Sequence, residues 1–129
     1  MFIDPKQAYL NTRATSSVAG ASPHKLISLL FDACQEKLAT AKGCMERRET
    51  KKKAEAIKKA IDIIVRLQAS LDFDKGGKIA IQLDDLYTFC TNRLALANAV
   101  NDMSMIDEVY KVINEIKSAW RGLEGFEGL

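Results

Sequence analysis

Residues 22–32, Ser22-Pro23-His24-Lys25-Leu26-Ile27-Ser28-Leu29-Leu30-Phe31-Asp32, join a helix start to an apolar helical face. Serine is a favoured N-cap because its hydroxyl accepts from an orphan backbone N–H. Proline at the first helical position forgoes only a hydrogen bond it would not make. The boundary at Pro23 is therefore sharp. Beyond it Ile27, Phe31, Cys34, Leu38, Ala41 and Met45 recur at three- and four-residue steps, with Leu26, Leu30 and Ala33 widening the stripe. This spacing predicts an amphipathic helix from Pro23 to about Arg48 that packs on more than one neighbour.

Working outward, Glu46 to Lys53 is charged and lacks a core residue, so it reads as a turn and the solvated start of a second helix. Its basic run has no interleaved aromatic side chains on which bases would stack. From about Lys51 to Leu71 one face carries Ile57, Ala60, Ile61, Ile64, Leu67, Gln68 and Leu71, with Ile63 and Val65 outside it. Gly76-Gly77 permits positive φ where the chain reverses. A third helix, Lys78 to Val100, carries Ile79, Leu83, Leu86, Tyr87, Cys90, Leu94 and Ala97, while Asp84, Asp85, Thr91 and Asn92 face away. The last helix, capped by Asp102 or Ser104, uses Ile106, Val109, Tyr110, Ile113, Ile116 and Trp120 and ends near Arg121-Gly122. Helices of this length with short connections predict an all-α, antiparallel up-and-down four-helix bundle over 22–122. Residues 1–21 form an N-terminal arm with a short helix from about Pro5 to Arg13, and 123–129 a mobile tail.

The bulk numbers agree. A 129-residue chain that is 47% hydrophobic but only 7% aromatic, with 2 prolines, suits one helical domain. A net charge of +2 is too small to indicate nucleic acid or an anionic membrane, which points to a protein partner. No run approaches the ~20 apolar residues of a membrane span, and Asp4-Pro5 beside Phe2 and Ile3 is unlike a secretory signal. The 3 cysteines, Cys34, Cys44 and Cys90, form no C-x-x-C pair, and Cys34 and Cys90 read as small buried hydrophobes in a reducing compartment. With His24 as the sole histidine and no nucleophile elbow, zinc-protease motif or P-loop, the parts of a catalytic, metal or cofactor site are missing. A phosphotransfer histidine is disfavoured because His24 lies in a first turn behind Pro23. Apolar residues in excess of one bundle core instead suggest a non-enzymatic binding module.

The landmarks Ala8-Tyr9, Ala21-Ser22-Pro23-His24-Lys25-Leu26-Ile27, Leu30-Phe31-Asp32, Ile63-Ile64, Ser70-Leu71-Asp72 and Gly76-Gly77 follow one another in a specific order. With Leu86-Tyr87, Arg93-Leu94, Ala97-Asn98, Asp102, Glu108-Val109 and Ala119-Trp120, the chain resembles the flagellin-specific export chaperone family, FliS. The tail after Trp120 matches no part of that pattern. The resemblance implies a cytosolic bundle that binds the disordered C-terminal segment of flagellin, prevents premature polymerisation and helps deliver it to the export gate of the flagellar type III apparatus. An adaptor or co-chaperone role toward another flagellar protein is the alternative. Candidate partner-binding residues, part analogy and part geometry, are Tyr9 and Leu10 in the arm, then Ile61, Leu71, Leu86, Tyr87, Leu94 and Asn98. The simpler role for each apolar one is bundle core. A homodimer through the surplus apolar surface is a further expectation.

Overall fold

A computed structural model describes residue 20 and residues 22–123 of the chain. The expected arm helix, the arm residues Tyr9 and Leu10, and most of the expected tail lie outside these residues. Four helices follow one another: α1 (Pro23–Glu46), α2 (Thr50–Ala69), α3 (Phe73–Val100) and α4 (Met103–Arg121). Among the described residues there is no strand. α1 packs on α2 and α4, and α3 closes the ring by packing on the same two helices. This is the up-and-down bundle that short connections impose.

Three of the four helices start where a side-chain cap dictates, whereas α2, behind Glu49, has no such cap bond. Ser22 Oγ accepts from the Lys25 N–H at 3.1 Å, Asp72 Oδ1 from the Lys75 N–H at 3.0 Å, and Asp102 Oδ1 from the Ser104 N–H at 2.9 Å. Asp102 therefore caps α4, and its carboxyl is held below the usual carboxylate range mainly by the Ser104 hydroxyl. α1 stops two residues earlier than the spacing suggests. Arg48 there adopts φ 59°, and the Glu49 N–H returns to the Cys44 carbonyl at 2.8 Å. Gly77, at φ 52° and ψ −127°, breaks α3 into a single turn after Asp72 and the long helix expected from Lys78. Asn101, left-handed at φ 54°, ends it.

The core contains Phe31, Cys34, Leu38 and Ala41 of α1, Ile57, Ala60, Ile64 and Leu67 of α2, Tyr87, Cys90, Leu94 and Ala97 of α3, and Ile106, Val109, Ile113 and Trp120 of α4. Small residues at Cys34, Ala41, Ala56 and Ala60 let α1 and α2 approach closely, and this is the most extensive helix pair. At one end of the bundle the His24 and Trp120 rings stack, with centroids 4.6 Å apart and planes 10° from parallel. Their backbones complete the clamp. His24 Nε2 lies 2.6 Å from the Trp120 carbonyl, and Trp120 Nε1–H donates to the His24 carbonyl at 3.0 Å. A carbonyl can only accept, so Nε2 carries a proton. His24 is thus a structural tie between α1 and α4.

Lys53 departs from the expected solvated run. It is buried, and its ammonium donates to the Asn98 carbonyl at 3.0 Å and to Asn101 Oδ1. A cation at the C-terminal end of α3 satisfies carbonyls that the helix leaves without partners and complements its dipole. Replacing it by an apolar chain strands those acceptors, at roughly 1–3 kcal/mol. Lys53→Met should therefore lower the unfolding free energy by that amount, read as a lower urea midpoint with an unchanged slope, while Lys58→Met at an exposed site should change stability by less than about 0.5 kcal/mol. Equal midpoints for the two variants would refute the cap.

Candidate partner-binding face

The polar bridges between helices fix which flank of α3 faces which neighbour. Gln68 Nε2 of α2 reaches Asp84 Oδ1 at 2.8 Å and Thr88 Oγ1 at 2.9 Å. Asp84 therefore turns toward α2 rather than away from the bundle. On the opposite flank Arg93 Nε donates to Glu108 Oε1 of α4 at 2.9 Å. The Arg93 guanidinium also stands over the Phe89 ring, 5.5 Å from its centroid.

On the α4 flank runs a second stripe with the spacing of a coiled-coil seam: Ile79, Gln82, Leu86, Phe89, Arg93, Leu96 and Val100 alternate steps of three and four residues. Five of these are large apolar side chains, and they remain from 37% (Phe89) to 56% (Val100) exposed. α4 borders the stripe with Met105 and Val112, three and four residues either side of Glu108 and partly buried against the core. Single exposed apolar residues are ordinary, but a row of them along one helix beside a complete core marks an interaction surface.

The sequence-derived candidates separate around α3. Leu86 lies in the exposed stripe at 40% exposure, one residue from Tyr87, which is buried. Leu94 is fully buried, so Tyr87 and Leu94 belong to the core beneath the face. Ile61 lies seven residues before Gln68 and shares its face toward α3, partly buried, with exposed Val65 between them. Asn98, half-buried, offers its carbonyl to Lys53. Leu71 packs partly buried against the core in the connector after α2. Leu86 thus sits on the α4 side of α3 and Ile61 on the α2 side. Phe89, Leu96 and Val100 went unremarked in the sequence, although their heptad steps from Leu86 were a usable signal.

The chemistry of this face is that of contact. Among the described residues no group of three or more His, Cys, Asp or Glu side chains is placed to hold a metal ion, and no helix is long and apolar enough to cross a membrane. Cys34, Cys44 and Cys90 are free and buried. Burial pushes the Cys34 thiol far up, with Cys90 adding to it, and raises Cys90 to about 12, with Glu108 contributing. Such thiols hold almost no thiolate at neutral pH. Cys34 and Cys90 should therefore react with Ellman's reagent only as fast as the bundle opens, and fast labelling without denaturant would contradict their placement.

A family model described as Flagellar protein FliS matches residues 5–125. Curated relatives include the flagellar secretion chaperone FliSB of Pseudomonas aeruginosa, 43% identical over 89% of this chain and 91% of the relative. The flagellar secretion chaperone FliS of Vibrio cholerae is 41% identical over 88% of this chain and 84% of its own. That of Salmonella typhimurium is 41% identical over 89% of this chain and 86% of its own.

Proposed function

Since the chain belongs to the FliS family of flagellar secretion chaperones, we propose that the exposed faces flanking α3 hold the C-terminal segment of flagellin in the cytosol. The protein thereby keeps that segment from polymerising and presents its cargo to the export gate, without catalysis. The observation that carries this reading is the row Ile79, Leu86, Phe89, Leu96 and Val100, left exposed beside a finished core. An amphipathic helix laid along such a row buries its own i, i+3, i+4 and i+7 positions. Ile61 and Val65 on the α2 side give an extended client a second line of contact, so that it can clasp α3 from both flanks.

Ordering a disordered client costs several kcal/mol of the gross interaction energy. The signature is specific: calorimetry with a flagellin C-terminal peptide should show a negative heat-capacity change, and circular dichroism a gain of helix in the peptide. Flagellin lacking that segment should not bind. Undiminished binding by the shortened flagellin would overturn the reading. Tyr9 and Leu10 enter as a reversible cover. The arm joins the bundle at Ser22, the end at which Ile79, Phe73 and Leu26 stand exposed. If the arm occupies part of the face, the apparent client affinity falls by the fraction of molecules left open. Removing residues 1–19 should then leave peptide affinity unchanged or raise it a few-fold. A clear loss would show that the arm contacts the client instead.

A further inference from the structure

Arg93 is the one charged side chain in the exposed row of α3, and it is held at one edge only. Its Nε donates to Glu108 Oε1 at 2.9 Å, and its guanidinium lies over the Phe89 ring. The two terminal nitrogens donate to no described residue. Two other arginines of the bundle differ. Arg121 donates from Nη2 to both oxygens of Asp32, and Arg47 adds a contact from Nη2 to Cys44 Sγ to its Nε bond with Glu49. The Arg93 side chain is nonetheless the least open of the three, at 36% exposure. On either side of it the surface is apolar. Because α3 and α4 run antiparallel, the Arg93–Glu108 pair sets Phe89 level with Val112, four residues to one side, and Leu96 level with Met105, three residues to the other.

A helix that covers Phe89 therefore covers the free end of Arg93 as well. Water then leaves N–H groups for which the bundle has no acceptor, and a donor buried without one costs about as much as a good contact gains. The client must bring the acceptor. Inside a client helix the backbone carbonyls are already taken by the helix's own N–H groups, which leaves a side chain. A side-chain amide offers one acceptor oxygen and turns its own NH2 against the second donor. A carboxylate offers two oxygens to the planar fork, in charge-assisted bonds stronger than neutral ones.

We propose that Arg93 determines which helix this face accepts: steadied by Glu108 and Phe89, its terminal nitrogens take one Asp or Glu carboxylate of the client, set between apolar residues three or four positions to either side. The proposal rests on the reading of this face as the client site and adds a filter to it. A wholly apolar helix face strands Arg93 and is refused, whereas an acidic residue at the right step fixes the register of the bound segment. Lys111, exposed one turn beyond Glu108 on α4, offsets the added negative charge, while Glu115 stands a further turn away, level with Leu86.

The test is a double-mutant cycle on the full chain. Each Asp and Glu of a flagellin C-terminal peptide is changed singly to Asn or Gln, and calorimetry gives the affinities for the parent chain and for Arg93→Leu. One of these peptide changes should weaken binding to the parent about ten- to a hundredfold, as bonds to a charged group are lost, and should matter less than about twofold against Arg93→Leu. Arg93→Leu should lose a similar factor for the unaltered peptide, yet bind an amphipathic control helix of leucine, alanine and lysine at least about threefold more tightly than the parent does. Arg93→Lys keeps the charge without the fork and should fall between the two. The Arg93–Glu108 pair is exposed on both sides, so breaking it should leave the fold intact. A purely structural role for Arg93 would weaken every peptide alike and be reproduced in full by Glu108→Gln. That result, additivity at every acidic position of the peptide, or tighter binding of the unaltered peptide by Arg93→Leu would each overturn the proposal. The variant carrying Leu86→Glu and Phe89→Glu separates the two ideas. Lost binding there with no effect at Arg93 keeps the face and removes the filter, and undiminished binding there removes both.

Discussion

A chain carrying Leu86→Glu and Phe89→Glu together should bind the flagellin C-terminal peptide two to three orders of magnitude more weakly than the parent, with its fold intact. The fold survives because both side chains are already more than one-third exposed. Substitutions at such positions change stability by a few tenths of a kcal/mol. Binding fails because they form the middle of the only row of large apolar side chains along the α4 flank of α3. Truncating a central anchor typically costs about 2 kcal/mol or more, and two of them about 4 kcal/mol, which is roughly a thousandfold in Kd. Each glutamate also brings a charge that the client would have to bury without a partner. Arg93, already engaged by Glu108, neutralises at most one of them. The control is Tyr110→Glu, similarly exposed at 41% on the other flank of α4. Its neighbours Asp107 and Asn114, three residues before and four after it, reach α1 through Lys42 and Gln35. That variant should bind within about threefold of the parent. Near-parental affinity in the Leu86/Phe89 variant would remove this face from the mechanism.

Much of this architecture was written in the sequence, and the parts that were not have physical reasons. Caps at Ser22, Asp72 and Asp102 depend on a side chain and a backbone N–H two or three residues away, so composition at one place decides them. The Gly77 break is similar, since few other residues accept φ 52°. The two stripes of α3 are different. Leu86 and Tyr87 are adjacent, and each belongs to a run at three- and four-residue steps, so periodicity makes both eligible for the core. Where α4 lies decides between them, and it takes Tyr87, Leu94 and Cys90 inward while leaving Leu86 and Ile79 outside. Burial of Lys53 was likewise illegible. In the run Lys51-Lys52-Lys53 nothing distinguishes the third lysine until α3 ends above it and offers the Asn98 carbonyl. Ser22 was legible as a cap and Asp102 as one of two candidates, whereas the Asp72 cap and the single turn it opens before Gly77 went unread, and the remaining errors arose where one helix's geometry assigns meaning to a residue on another.

The largest loss of stability should come from Trp120→Ala, at the clamp that ties the first helix to the last at one end of the bundle. Trp120 is nearly buried, so truncation removes its packing and leaves a cavity, a change that costs about 3–5 kcal/mol in protein cores. Two further contacts go with it: the 4.6 Å stack on His24 and the indole N–H donated to the His24 carbonyl at 3.0 Å. For a domain of about 100 residues each kcal/mol shifts Tm by roughly 4–8 °C, so a fall of at least about 12 °C is expected by circular dichroism. Trp120→Phe keeps an aromatic face for His24 and loses mainly the hydrogen bond, for about 1 kcal/mol. His24→Ala removes the ring partner but leaves the Trp120 Nε1–H to carbonyl contact, which is backbone at the His24 end. In the double variant the two losses should overlap, giving a coupling of about 0.5–1.5 kcal/mol between the rings. Strict additivity would mean that the stack contributes nothing and that Trp120 acts through the core alone. Measured well below its midpoint, Trp120→Ala should still bind the flagellin peptide, because the Arg93–Glu108 pairing sets Trp120 level with the start of the long part of α3, about one to two helical turns before Leu86 and Phe89. Loss of binding in a chain that remains folded would instead place the Trp120 end of the bundle within the client's reach.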